Sequence, residues 1–258
     1  MNIVILGAGH MGSWFAENLK KTHTLGIYDK ENQKTKSKKG MTVFKELSEI
    51  QNFKPEILIN AVSIQNTIQA FKTAAHFFTD SCILADVASV KANIPQFYQK
   101  CGFRFVSIHP MFGPTFANVD RLENENVILI KESDPEGISF FENFFKSQGL
   151  NIFEYSFDEH DQIIAYSLAF PFASTMIFAA HMSSSAVPGT TFKKHLQIAK
   201  GLLAEDDYLL AEILFSPYSL SQLEKVTQRL EFLKHIIKDK DFDEARDFFQ
   251  RLRNNLKK

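Results

Sequence analysis

Two short segments carry the residue types that perform proton chemistry. Ser107-Ile108-His109-Pro110-Met111-Phe112-Gly113-Pro114 sets an imidazole ahead of a proline, an aromatic and a Gly-Pro pair. The prolines stiffen the turn that begins there. Upstream, Asp86-Val87-Ala88-Ser89-Val90-Lys91 offers a carboxylate, a hydroxyl and an ammonium. A neutral imidazole is matched to taking a proton at physiological pH, so His109 is the candidate base. Ser89 is the candidate partner that orients the ring or a substrate hydroxyl. Each segment follows an apolar run of strand character, residues 83–85 and 103–106. Both therefore deliver polar side chains just past a strand's carboxyl end, where ligands sit in open α/β sheets.

A third segment builds a phosphate cradle. The apolar run 2–6 leads into Gly7-Ala8-Gly9-His10-Met11-Gly12, followed by a helical pattern with Met11, Trp14, Phe15 and Leu19 on one face. Strand before and helix after is the context that a Gly-x-Gly-x-x-Gly fingerprint requires. Gly7 permits the tight turn, Gly9 lets backbone approach a pyrophosphate, and Gly12 allows close helix–strand packing. The helix N-terminus supplies N–H groups to the phosphates. In this loop the backbone of His10 matters more than its ring, and Met11 is a further candidate for the cofactor. The second strand, 24–28, ends at Asp29, where a carboxylate accepts from ribose hydroxyls and repels a 2′-phosphate. NAD is expected in preference to NADP. The basic run Lys30, Lys34, Lys36, Lys38 and Lys39 reads as a solvated loop. Val62 and Ser63, at the end of a strand over 57–62, are expected at the nicotinamide side, and Asp86 at the cofactor.

Further elements position these groups. A helical stretch is expected over 67–78, strands over 83–85, 103–107 and 126–130, a helix over 135–148 and a strand over 152–155. Such alternation specifies a mostly parallel, doubly wound Rossmann-type sheet. Beyond Ser156 strand signals stop, so the chain divides into a dinucleotide-binding domain, 1–155, and an all-helical domain, 156–258. Asp158 is expected to cap a long apolar helix that Pro171 bends. A second helical region is expected over 192–215. Ser221-x-x-Glu224 reads as a capping box and Asp241-x-x-Glu244 as a helix start.

The bulk composition excludes several classes. Net charge is −1 over 258 residues, so no global field favours nucleic acid or an anionic membrane. Two cysteines, Cys82 and Cys101, make no disulfide framework, and no metal is expected. Residues 163–182 hold no charged residue and are long enough to span a bilayer. Pro171, Ser167, Ser174, Thr175 and His181 within the run make it read as a helix buried in a core or subunit interface. The chain starts directly on a strand, so a cytoplasmic location is expected.

These motifs together resemble the prephenate dehydrogenase family. The resemblance rests on the glycine loop, residues 86–91, residues 109–114, and Glu159-His160-Asp161-Gln162 with Ala165-Tyr166. A looser match runs from Phe192-Lys193 through 202–206 to Ala211-Glu212-Ile213. It implies a homodimer through the helices and oxidative decarboxylation of prephenate to 4-hydroxyphenylpyruvate in tyrosine synthesis. Arogenate is the alternative substrate, and a catalytically silent dinucleotide-binding regulator the alternative class. Where many members carry histidines after Ala165, this chain has Ala169 and Phe172. The family's substrate-gripping arginine falls on Gly201, so Lys193 and Lys200 are the expected carboxylate anchors. His160 is read as capping or orienting its helix.

Overall fold

The structure, a computed structural model, describes residues 1–35, 39–113, 122–183 and 187–257. Pro114, Lys36 and Lys38 lie outside the described residues.

Alternating apolar residues that bury on both faces build the sheet. The strands are β1 (Asn2–Leu6), β2 (Thr24–Tyr28), β3 (Thr42–Val43), β4 (Ile57–Asn60), β5 (Ile83–Asp86), β6 (Phe105–Pro110), β7 (Asn126–Ile130) and β8 (Asn151–Tyr155). Among the described residues they form one eight-stranded sheet in the order β3-β2-β1-β4-β5-β6-β7-β8. All neighbours pair parallel except β6 with β7. Ile3, Ile5, Ile57, Ile59, Ile83 and Ala85 face one core layer. Val4, Leu6, Leu58 and Leu84 face the other. The helices in this half are α1 (His10–Leu19), α2 (Ile50–Phe53), α3 (Thr67–Ala74), α4 (Ile94–Cys101) and α5 (Pro135–Ser147). Phenylalanine fills much of the first layer: Phe15 of α1 packs edge-on to Phe141 and Phe145 and stacks on Phe144 of α5. The strand order reverses between β1 and β4, which is where this topology opens a ligand crevice.

The chain then continues as α6 (Phe157–Ile164), α7 (Phe170–Ala180), α8 (Thr190–Leu202), α9 (Asp207–Leu214), α10 (Ser219–Asp239) and α11 (Phe242–Asn255). Several expected boundaries are corrected. Ser156, not Asp158, caps α6, in a reciprocal box with Glu159. Asp158 instead accepts from the Tyr218 hydroxyl at the start of α10. Between α6 and α7 the backbone makes a π-helical turn, Ala165–Ala169. Pro171 lies in the first turn after it, so the missing proline N–H falls where the ladder has already changed register. The second helical region is two helices, because Asp206 caps α9 through the Tyr208 and Leu209 N–H groups. Ser221 makes no capping box; its hydroxyl donates to the Tyr218 carbonyl. Asp241 does cap α11, accepting from Glu244 N–H.

The helix over Phe157–Ala180 is long and apolar enough to cross a membrane, yet only 22% of its apolar window is buried. The expectation of core burial therefore fails for the chain taken by itself. Tyr166 and Ile177 stand exposed. The start of this helix is nevertheless tied to the sheet, since Lys131 of the segment after β7 pairs with Glu159 at 2.8 Å.

Candidate active site

The glycine loop closes tightly on itself. Gly7 has φ of +94°, and a Cβ there would lie 2.7 Å from the Ala61 carbonyl oxygen. A Cβ on Gly12 would fall 1.9 Å from the Gly7 carbonyl oxygen. Gly9 differs, for nothing lies within 4 Å of its missing Cβ. Gly9 is also the residue before α1 and accepts from Ser13 N–H. The loop is thus packed against β4 on one side and open at the helix N-terminus, the arrangement that admits a pyrophosphate.

Asp29 stands beside this opening. Its Oδ2 accepts from Ala8 N–H at 2.6 Å and its Oδ1 from Glu31 N–H at 2.8 Å. The carboxylate is held rigidly at the rim of a cavity of about 490 Å³. Gly7, Gly9, Asp29, Val62 and Ser63 line that cavity. Lys34 also lines it, but its ammonium is spent on Glu31 at 2.8 Å. The residues present therefore fit a dinucleotide whose adenosine ribose meets a carboxylate. His10 and Met11 border a second cavity, of about 660 Å³, along α1 with Trp14 and Phe112.

The proton-handling groups lie two and three strands from β1, after β5 and on β6. β5 and β6 are parallel neighbours with Asp86 opposite Ser107. Ser89 follows β5 by three residues, and His109 follows Ser107 by two on the adjacent strand. Strand spacing of about 4.8 Å brings their two segments together. Lys91 fixes the relation, donating to Asp86 Oδ1 and to the Ile108 carbonyl, each at 2.8 Å. Ser89 is half-buried and His109 buried.

Asp86, expected at the cofactor, has partners within the protein on both of its oxygens. It is fully buried, taking Lys91 and Ala88 N–H on one oxygen and the Tyr98 hydroxyl on the other. The physical reason is that Lys91 is itself wholly buried and requires a carboxylate. Lys193 and Lys200 sit two turns apart on one face of α8, and both are exposed. Neither lines the two cavities described above.

His160, read from sequence as a helix-orienting residue, belongs to the site. It is fully buried on α6, and its Nε2 lies 3.0 Å from His109 Nδ1. Its Nδ1 lies 3.0 Å from Asp161 Oδ1. Burial, the adjacent His160 and the Lys91 ammonium hold His109 well below the ordinary imidazole pKa. Burial lowers His160 too, with the Asp161 hydrogen bond pulling the other way. Both rings are thereby kept neutral at physiological pH, the state in which a ring nitrogen accepts a proton.

An apolar cluster closes the sheet end against the helices. Val90, Ala169 and Ile213 form its centre, with Ile64 and Phe172 packed on it. Ala169 and Phe172 thus present hydrocarbon next to the loop that carries Ser89.

The fold and the site define a Rossmann-type nucleotide-binding protein with an appended helical half. Residues 15–154 match the family model described as prephenate dehydrogenase, nucleotide-binding domain. The chain belongs to the prephenate dehydrogenase family. It is 26% identical over 262 residues to a Methanocaldococcus jannaschii protein named probable arogenate/prephenate dehydrogenase, covering 92% of this chain and 57% of that one. It is 22% identical to the T-protein of Haemophilus influenzae, covering 96% and 62%. The chain thus spans about six-tenths of the length of these two curated relatives. The fold is that of Aquifex aeolicus prephenate dehydrogenase, solved with hydroxyphenyl propionate and NAD+, at TM-score 0.82, 19% identity and coverage of 99% and 96%. Synechocystis arogenate dehydrogenase superposes with TM-score 0.80 at 18% identity, covering 100% and 99%.

Proposed function

We propose that the protein is an NAD-dependent dehydrogenase that converts prephenate to 4-hydroxyphenylpyruvate and carbon dioxide. The observation that carries this reading is the neutral, buried His109 at the end of β6, beside the loop of Ser89 and in the same sheet as the glycine loop. The nicotinamide, when bound, accepts a hydride. His109 takes the proton of the substrate's ring hydroxyl as its O–H bond breaks, and Ser89 holds that hydroxyl in line. The hydride leaves the hydroxyl-bearing carbon. The bond to the departing carboxylate then supplies the electron pair that aromatises the ring. The resulting phenolate oxygen recovers the proton from His109, so no net proton is released. Lys193 and Lys200 are the candidates for holding substrate carboxylates, as point charges and without arginine's bidentate fork.

Arogenate, with an amino group on the side chain, is the second substrate reading. It is favoured by Phe172 and Ala169, which give the wall next to Ser89 no charge, and by Gly201 in place of a carboxylate-gripping arginine. Asp29, together with the spent charge of Lys34, supports NAD over NADP. We further read residues 1–155 and 156–258 as two domains, and the exposed apolar residues of the helices as a homodimer face. The test is absorbance at 340 nm with purified protein and each acid, using NAD and NADP in parallel. NAD-dependent turnover of prephenate is expected. Turnover of arogenate alone transfers the assignment to it, and cofactor binding without turnover of either acid overturns the enzymatic reading.

A further inference from the structure

His109, His160 and Asp161 form a line of three groups, and with both rings neutral only one assignment of protons satisfies them all. The side chain of Asp161 is a carboxylate, which offers only acceptors. The contact at 3.0 Å therefore requires the His160 Nδ1 to carry the proton and donate it. A neutral imidazole has one N–H, so His160 Nε2 is left as an acceptor. That nitrogen lies 3.0 Å from His109 Nδ1, which must then be the protonated nitrogen of its own ring. What remains on His109 is an unprotonated Nε2.

We propose that Asp161 and His160 act as a tautomer latch on His109, keeping its proton on Nδ1 so that Nε2 always meets the substrate hydroxyl as a base. In this arrangement His160 and Asp161 are positioning residues, because neither touches the reacting atoms. Their effect is large in kind: an imidazole in the wrong tautomer presents an N–H to a hydroxyl and accepts nothing. The latch also steadies the transient imidazolium. With both ring nitrogens of His109 protonated, its Nδ1–H still points at His160 Nε2, and the Asp161 carboxylate lies at the far end of the line. The Lys91 ammonium, by contrast, is buried on the sheet side and disfavours charge on the ring. Positive charge that develops on His109 therefore has its compensating anion on the α6 side.

The inference rests on the reading of His109 as the base, and its test is chosen to stand apart from the identity of the substrate. Two-bond 1H–15N correlation spectra of the full chain labelled with 15N-histidine report which ring nitrogen is protonated. The His109 and His160 signals are assigned by their loss in His109→Asn and His160→Asn. His109 is expected to carry its proton on Nδ1, with Nε2 showing the shift of an unprotonated nitrogen. A His109 protonated on Nε2 in the wild type overturns the latch outright, whatever the enzyme turns over.

Two variants then separate positioning from packing. In His160→Gln the amide oxygen can still accept from His109 Nδ1–H, so turnover within about tenfold of wild type is expected. In His160→Leu the acceptor is gone, and kcat is expected to fall roughly 100- to 10,000-fold, the range of a lost positioned base, with KM for NAD unchanged. A purely structural role predicts the reverse order, since a buried leucine is better tolerated than a buried amide. Leucine equal to or better than glutamine in kcat therefore refutes the proposal. If the wild type turns over neither prephenate nor arogenate, the substrate reading fails while the tautomer spectrum still decides the latch.

Discussion

The Lys91 ammonium donates to the carbonyl of Ile108, the residue immediately before His109, at 2.8 Å. One fully buried side chain thus joins the loop of Ser89 to the strand end of His109. Its charge is met by Asp86 in the same pocket. Breaking such a pair strands a buried charge, which costs about 3–5 kcal/mol. Lys91→Met is expected to lose that much stability in urea unfolding. The double variant with Asp86→Asn should recover part of the loss, because it removes the orphaned carboxylate. If the single and double variants are equally destabilised, the pair is not what holds the two segments.

The pH behaviour follows from the two lowered histidines. His109 and His160 stay neutral in the folded chain below the ordinary imidazole pKa of 6.5. In the unfolded chain they take up protons near that value. The unfolded state therefore binds more protons as pH falls through about 6.5, and stability declines with it. Above that point the contribution is fully present. Unfolding free energy should be flat from pH 7 to 8 and fall steadily from pH 6.5 toward 5. The His160→Leu variant should show a shallower slope. kcat/KM should likewise lose activity only on the acid side of 6.5, and an alkaline shift of that limb would contradict the burial argument.

Much of this was legible in the sequence. The β1–glycine loop–α1 unit, the carboxylate closing β2 and the His-Pro pair that ends β6 are all local signals. Each depends on residues within about twenty positions of each other. What could not be read is contact at a distance. His160 reaches His109 across 51 residues, and no periodicity announces which face of α6 will meet the end of β6. Asp86 ends a strand, where ligands are met, but that Lys91 turns inward to pair with it depends on packing. The cap of α6 was misplaced by two residues because Ser156 and Asp158 are both good caps. Only the reciprocal Glu159 contact distinguishes them.

Two glycines of the loop, Gly12 and Gly9, should respond differently to alanine. Gly12→Ala forces a Cβ to 1.9 Å from backbone oxygen and is expected to lower the melting temperature sharply. Gly9→Ala meets open space in ordinary backbone geometry, so its stability should stay within about 0.5 kcal/mol of wild type. Its methyl instead projects at the helix N-terminus, and NAD affinity measured by calorimetry should weaken at least about tenfold, a loss of about 1.4 kcal/mol. Unchanged NAD affinity in Gly9→Ala would place the pyrophosphate elsewhere.

Cofactor choice should turn on Asp29. Its two oxygens are each held by a backbone N–H, so the negative charge cannot swing away from a 2′-phosphate. Asp29→Asn removes the charge while one oxygen can still accept from the loop. The ratio of kcat/KM for NAD over NADP is expected to drop by at least about tenfold, since like-charge juxtaposition costs several kcal/mol. A ratio that does not move would shift the assignment to Lys30 and its neighbours.

The helical half leaves an apolar surface that a lone chain has no reason to keep. Tyr166, Ile177, Ile198 and Phe215 are 65%, 54%, 49% and 77% exposed. They belong to the π-turn, α7, α8 and the end of α9, elements that pack on one another. Large apolar side chains left exposed on mutually packed helices are what an interface would cover, and a two-fold dimer buries the same residues on both copies. Light scattering should therefore give a particle of twice 29.5 kDa for the wild type. Ile177→Glu places a charge where the partner's hydrocarbon would lie, and should shift the mass to that of one chain without lowering the helical signal in circular dichroism. The sheet and the His109–His160 contact are internal to one chain, so NAD binding should survive in that variant. A wild type that runs as a single chain would show that the exposed face serves another purpose.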